Sequence, residues 1–375
     1  MKNPGRLSTP MAPRVLEICA GGGGQACGLE AAGFAHAAAV EIDARACETL
    51  RLNRPAWTVI QTDVREVDGS EWKGIDLLAG GVPCPPFSVA GKQLGGDDER
   101  DLFPTALRLV REAQPRAVLL ENVPGFASAK FEEYRNDLLL AFTRMGYVAD
   151  WRVLQASTFG VAQLRPRFLL VALKAEYADA FVWPKPLGKA PTVGEAIGDL
   201  MAARGWLGAR AWAKRASSVA PTIVGGSKKH GGPDLGPTRA RAQWATLGVE
   251  GISLANEAPD ADFPKDGIPR LTVPMVARLQ GFRDDWKFSG KKTAAYRQVG
   301  NAFPPPVAEA VGRSIYVALA ARAGSELTTR GQNSPAPDLG VWVSAWGLGL
   351  RADRGGARAP RGARSPHAAA RARPR

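Results

Sequence analysis

The sequence predicts an α/β protein: a parallel, doubly wound sheet, a small loop-rich lobe, and a basic tail. Three observations carry this. Over the first 175 residues short apolar runs alternate with amphipathic stretches, the rhythm of strands joined by helical crossovers. From about Pro184 to Pro269 the rhythm fades into sequence dominated by Gly, Pro, Ala and Trp. From Arg270 regular patterning resumes, so the chain leaves a sheet domain and returns to it. The predicted units are residues 12–183, a lobe at 184–269, a returning segment at 270–324 and a tail at 325–375, whose Gly/Pro/Arg-rich composition predicts disorder.

The elements follow in order. Val15–Ala20 reads as the first strand and runs into four glycines, after which Gln25–Ala32 has a helical pattern. Glycines let a backbone approach a ligand closely, and a helix N-terminus offers free N–H groups. The spacing misses the nicotinamide fingerprint GxGxxG, because Gly22 and Gly24 are followed by Gly28, one residue too late. Ala37–Ile42 is the second strand, ending in Glu41, and Ala44–Leu52 the next helix. Thr58–Gln61 is the third strand, with Asp63 just beyond it. Ile75–Ala79 is the fourth, Pro104–Glu112 a helix, Ala117–Leu120 the fifth strand, and Phe168–Leu173 the last. Helices are predicted at Val273–Leu279 and Pro306–Ala321, with Asn301 in a turn before the second. On such sheets ligands bind at the carboxyl ends of the strands.

Bulk properties narrow the function. The formal net charge is +13, of which residues 351–375 hold eight arginines and one aspartate, leaving +6 for residues 1–350. The body is therefore modestly basic, which suggests a polyanionic partner. No stretch approaches the roughly 20 apolar residues of a membrane helix, and the start has no apolar run fit for a signal peptide. Four cysteines, Cys19, Cys27, Cys47 and Cys84, form no CxxC pair, and the histidines at 36, 230 and 367 are scattered. A zinc site or disulfide scaffold is not expected, and a reducing cytoplasm is.

Several residues at strand ends carry chemistry. Glu41 stands about 20 residues past the glycines, where a carboxylate accepts hydrogen bonds from ribose hydroxyls. Asp63 could meet an adenine amino group. An acid at a strand end is often only a helix cap, yet the two together describe a nucleoside-shaped pocket better than two independent caps. In "GGVPCPPFS", residues 80–88, Cys84 sits among prolines that fix their own φ angles and donate no N–H, so neither helix nor sheet ladder runs through it. A buried structural thiol is the plain alternative. "LLENVPGF" sets Glu121 and Asn122 at a neighbouring strand end, so a thiol nucleophile and a carboxyl acid could face one substrate. "QLRPR" places Gln163, Arg165 and Arg167 ahead of a buried strand, to pair with surface acids or to hold a phosphate or carbonyl.

These stretches, in this order, resemble the DNA cytosine-5 methyltransferases. The matching blocks are AGGGG, VEID, TDV, GGVPCPPFS, ENVPGF, QLRPR, RLQGF and QVGNAFPPP, spread over roughly residues 14–322. The resemblance implies a Rossmann-like catalytic domain binding S-adenosylmethionine, a target-recognition domain in the lobe, and a C-terminal segment completing the catalytic domain. It implies that Cys84 is the thiolate that adds to cytosine C6, that Glu121 hydrogen-bonds or protonates N3, that Arg165 holds O2 and that Asn122 braces the loop. Because C6 is buried in stacked duplex, the base must flip out. Glu41 is then expected on the cofactor ribose and Asp63 on its adenine with Leu102. Ala20, Gly21, Gly23 and Asn301 are expected at the methionine end, and Cys19, Ile42, Val64 and Pro83 in the rest of the cofactor wall. Two departures stand out: many members read Asp-Leu-Phe where this chain has Glu17-Ile18-Cys19, and many have glutamine where it has Pro85.

The expected partner is double-stranded DNA, with a cognate restriction endonuclease as a further one; the chain is expected to act as a monomer, without metal or membrane. In the lobe, "PTIVGGSKKHGGPDLGPTRAR" offers Lys228, Lys229 and His230 between glycine pairs, and Arg239 and Arg241 for phosphates or a guanine edge. Three rival readings stay open from sequence: a tRNA cytosine-5 methyltransferase, a catalytically silent DNA-binding protein on this scaffold, and a nicotinamide-dependent oxidoreductase.

Overall fold

Arg14–Ile18, "RVLEI", is buried from its second residue onward, and it forms β1, an interior strand of the sheet. The computed structural model describes residues 12–83, 101–226 and 232–328, the side chains of 323–328 excepted. Cys84, Lys228, Lys229 and His230, like the 325–375 tail beyond residue 328, lie outside the described residues. The other strands are β2 Ala35–Glu41, β3 Val59–Gln61, β4 Leu77–Gly81, β5 Ala117–Asn122, β6 Tyr147–Gln155 and β7 Pro166–Lys174. The α-helices are α1 Gly24–Ala31, α2 Ala44–Asn53, α3 Phe103–Ala113, α4 Glu132–Arg144, α5 Ala175–Ala178, α6 Val193–Ala202, α7 Ala209–Arg215, α8 Thr238–Thr246, α9 Val273–Leu279, α10 Lys292–Asn301 and α11 Pro305–Thr328.

The seven strands are ordered β3-β2-β1-β4-β5-β7-β6. The pairs β1–β2, β1–β4, β2–β3 and β4–β5 are parallel; β7 runs antiparallel to both β5 and β6. Both faces are covered, and the side chains sort by the two-residue period of a strand. Val15, Leu77 and Leu119 pack with Leu29, Val311 and Ile315 of α1 and α11 on one face. Leu16, Leu78 and Val118 pack with Leu109 and Phe142 of α3 and α4 on the other. The order reverses at β1, whose two neighbours β2 and β4 open a crevice at their carboxyl ends, where doubly wound sheets bind ligands.

The sheet is mixed rather than parallel as the sequence predicts, because β7 runs antiparallel to both of its neighbours, and individual elements differ as well. The β4 strand begins at Leu77 rather than Ile75 and reaches Gly81. The expected list lacked β6, whose outer positions Val148, Asp150, Arg152 and Val153 are exposed, so no unbroken apolar run marked it. Asn301 is the last residue of α10 rather than part of a turn. In the lobe the described residues form α6, α7 and α8 around Trp206, Trp212 and Trp244, and this core continues into Met275, Leu279 and Tyr296 of α9 and α10.

Candidate active site

The carboxyl ends of β1 to β5 surround a cavity of about 920 Å³. Its floor is the turn after β1. There Cys19 takes a left-handed φ of 52°, and Glu41 at the end of β2 holds the turn. Glu41 accepts from the Gly21 N–H through one carboxylate oxygen and from the Asp43 N–H through the other, both at 2.7 Å. One side chain thus joins the glycine turn to the start of α2, which Asp43 caps by accepting from the Arg45 and Ala46 N–H groups. Asp63 caps the short turn after β3 and pairs with the Arg65 guanidinium at 2.6 Å; that hydrogen-bonded charge holds its carboxyl below the ordinary value.

Ten of the eleven expected cofactor residues line this cavity: Cys19, Ala20, Gly21, Glu41, Ile42, Asp63, Val64, Pro83, Leu102 and Asn301. Gly23 does not. It has φ +88°, and a Cβ there would come within 2.5 Å of the Trp286 ring, so it serves close packing behind the wall. Glu17, first residue of the departing Glu-Ile-Cys triplet, also turns away; it is fully buried against His36 Nε2 at 2.9 Å. Burial pushes the Cys19 thiol up to about 12, with the Glu41, Asp63 and Glu17 charges adding to it. Cys19 is therefore a neutral part of the wall.

Glu121 lines the same cavity. It sits on β5 opposite Gly81 of β4, and Pro83, the residue before Cys84, shares the cavity with it. Arg167 Nε lies 2.6 Å from Glu121 Oε1, the two side chains being 10% and 12% exposed. Burial nevertheless raises the Glu121 carboxyl above its ordinary value, against the lowering charges of Arg167 and Arg165. Asn122 does not line the cavity. Its amide donates to the Val82 carbonyl at 3.0 Å and accepts from the Val123 N–H at 2.7 Å, tying the end of β5 to the chain before Pro83.

Arg165 is placed differently from the sequence expectation. It precedes β7, is 1% exposed, and donates to the backbone carbonyls of Ile223, Gly300 (2.6 Å) and Ala302 (3.0 Å). Gln163 completes this buried knot, accepting from the Ile223 N–H at 2.8 Å and donating to Gln280 at 2.6 Å. Arg165 therefore joins β7 to the lobe and to α10, while Arg167, two residues on and inside β7, reaches Glu121. Sequence reasoning named both arginines and gave the substrate role to Arg165 alone. The separating signal is Pro166, where the strand starts. Arg239 and Arg241 lie on α8, Arg239 exposed and Arg241 half-buried.

The family model of the C-5 cytosine-specific DNA methylases matches residues 13–317. The chain belongs to that family. This methylase is 58% identical over 310 residues to the Type II methyltransferase M.NaeI of Lentzea aerocolonigenes, covering 81% of this chain and 75% of the relative. It is 55% identical over 307 residues to M.NgoMIV of Neisseria gonorrhoeae, covering 81% and 97%. A crystal structure of a putative DNA modification methyltransferase from an E. coli prophage shares the fold, with TM-score 0.56 at 24% identity, covering 82% of this chain and 100% of that one. The methylase is thus a DNA cytosine-5 methyltransferase on a Rossmann-like sheet, and the oxidoreductase, tRNA and silent-scaffold readings are not favoured. Among the described residues no helix is long and apolar enough to cross a membrane.

Proposed function

We propose that this methylase transfers a methyl group from S-adenosylmethionine to C5 of a cytosine flipped out of duplex DNA, through a bond between Cys84 and C6. The carrying observation is that Glu121 and Pro83, the residue before Cys84, line one cavity, with the Arg167 guanidinium paired to Glu121 beside it. A cofactor with an adenosine and an amino-acid end fits the wall: Glu41 and Asp63 offer carboxylates for ribose and adenine, Ile42 and Leu102 flank the adenine, and the glycine turn with Asn301 receives the other end. When bound, the cofactor supplies an electrophilic methyl group on a sulfonium.

The protein's own part starts from the poor nucleophilicity of cytosine C5. The Cys84 thiolate adds to C6, and the electron pair displaced from the C5–C6 bond is drawn toward N3. Glu121, held protonated more readily by its burial, gives its proton to N3. Arg167 stands beside Glu121 and is the better-placed candidate for O2, the role expected of Arg165; Arg165 and Asn122 act by bracing. C5 then forms its bond to the methyl carbon as the methyl–sulfonium bond breaks, a base removes the C5 proton, the C6–sulfur bond breaks to return the thiolate, and N3 gives its proton back to Glu121, leaving a neutral aromatic ring. The prolines around Cys84 suit a nucleophile whose small misplacement would be costly in rate.

We further assign residues 12–183 and 270–324 to the catalytic domain and 184–269 to target recognition, with Lys228, Lys229, His230, Arg239 and Arg241 on DNA. The names of the relatives support a role as the modification half of a restriction-modification system, acting as a cytoplasmic monomer beside a cognate endonuclease, or as an orphan methylase. Expression in a host lacking cytosine methylation, followed by base-resolution mapping, tests the proposal. The expected result is 5-methylcytosine at one short recurring DNA sequence. Unmethylated DNA, or methylation confined to tRNA, would overturn it.

A further inference from the structure

Three arginines line the cavity: Arg45, Arg65 and Arg297. Arg45 pairs with Glu48 at 2.7 Å and Arg65 with Asp63 at 2.6 Å. Arg297, on α10, is different. Among the described residues its guanidinium has no ion pair, and its Nε is buried with no hydrogen-bond partner. A second orphan lines the same cavity. Gln25, in the first turn of α1, is only 4% exposed, and its Nε2 is likewise buried without a partner. Buried donors are nearly always satisfied, so two unsatisfied ones in one cavity wall call for an acceptor that a ligand brings.

The two donors stand on elements in direct contact. A Cβ on Gly22 would come 3.0 Å from the Gln298 Cβ, and one on Gly24 would come 2.9 Å from the Ala302 Cβ, so the start of α1 packs against the end of α10. This is the part of the cavity that holds Gly21 and Asn301, away from the Ile42, Asp63 and Leu102 side given to the adenosine. A guanidinium pairs well with a planar carboxylate, and the first turn of a helix favours negative charge.

We infer that Gln25 and Arg297 form a carboxylate subsite that anchors the amino-acid end of the methyl donor, an inference resting on the S-adenosylmethionine reading above. Calorimetric titration with S-adenosylhomocysteine and with its decarboxylated analogue tests it without any turnover. The unaltered protein is expected to bind the carboxylated ligand about 10- to 100-fold more tightly, the range for hydrogen bonds to a charged group. Arg297→Met and Gln25→Leu each lose about tenfold of that preference, their affinity for the decarboxylated analogue holding within about twofold. Arg297→Lys, which keeps the charge, recovers part of the preference. An equal loss for both ligands, or an intact preference in Arg297→Met, overturns the inference. So does a variant that loses affinity for duplex DNA instead, which gives Arg297 to a phosphate. Should the variants fail to fold, the unaltered protein still decides: no preference for the carboxylated ligand overturns the inference. No binding of either ligand is a failure of the cofactor reading itself.

Discussion

Replacing Arg167 with methionine leaves Glu121 in the sheet without the guanidinium that touches it at 2.6 Å, at a place where both side chains are about nine-tenths covered. An ionised, unpaired carboxylate there would cost about 3–5 kcal/mol. The carboxyl has an alternative, which is to take up a proton. Against an ordinary carboxyl value of 4.5, keeping that proton costs about 1.4 kcal/mol per pH unit, or about 3.4 kcal/mol at pH 7. Protonation therefore caps the loss of stability at that figure, a ceiling because the paired carboxyl is already raised by burial. The sign of the pH dependence follows. With its value raised in the folded chain, Glu121 retains a proton that the unfolded chain has lost, so this group's contribution falls as pH rises above 4.5. The ceiling on the deficit shrinks to about 0.7 kcal/mol at pH 5. Urea denaturation of Arg167→Met at the two pH values reads this directly. The double variant Arg167→Met with Glu121→Gln, in which an amide stands in for the protonated carboxyl, recovers most of the loss at pH 7. A deficit of equal size at both pH values, or a double variant no more stable than the single, refutes the reasoning.

Gly24→Ala sets a Cβ against the Phe303 carbonyl oxygen and the Ala302 side chain; we expect about 1–3 kcal/mol of destabilisation and weaker S-adenosylhomocysteine binding, seen by thermal melting with and without ligand. Gln163→Leu strands the Ile223 N–H and the Gln280 side chain, which costs about 1–3 kcal/mol in calorimetric unfolding. A change below about 0.5 kcal/mol, the usual range for surface sites, would mean that the buried knot contributes nothing. Replacing Lys228 and Lys229 with alanine is expected to weaken DNA binding across sequences and to lower the salt slope by about two, with cofactor affinity unchanged; unaltered DNA affinity at physiological salt removes that assignment.

The central strands were legible because a parallel sheet buried on both faces writes itself as unbroken apolar runs, as in Val15–Ile18 and Ala117–Leu120. The edge strand β6 was not, since "YVADWRVLQ" carries charges at solvent-facing positions and its partner in the sheet, β7, comes later in the chain. In the site, Glu41, Asp63 and Glu121 were legible because each stands at or close to the end of a strand, and strand ends of such a sheet converge. The roles of Arg165 and Arg167 were not. Spacing puts them two apart, but whether a guanidinium meets Glu121 or a cluster of carbonyls depends on where β7 begins. Asn301 was read in a turn, whereas packing of "RQVGN" against the glycine turn after β1 holds it at the end of α10. Gln25 carried no signal at all: only an unfilled hydrogen bond in a cavity wall marks it.

The nucleophile is the sharpest point of the account. Three of the four thiols are raised by burial: Cys19 to about 12, Cys47 to about 11, and Cys27 also well up. None of them suits attack at neutral pH. A duplex carrying 5-fluorocytosine at the mapped target position blocks loss of the C5 substituent and traps the adduct. Incubation with S-adenosylmethionine followed by peptide mass spectrometry should find the modified base on Cys84 alone, and Cys84→Ser should abolish the complex. An adduct on Cys19, Cys27 or Cys47, or methylation that proceeds with no adduct at all, would contradict the account.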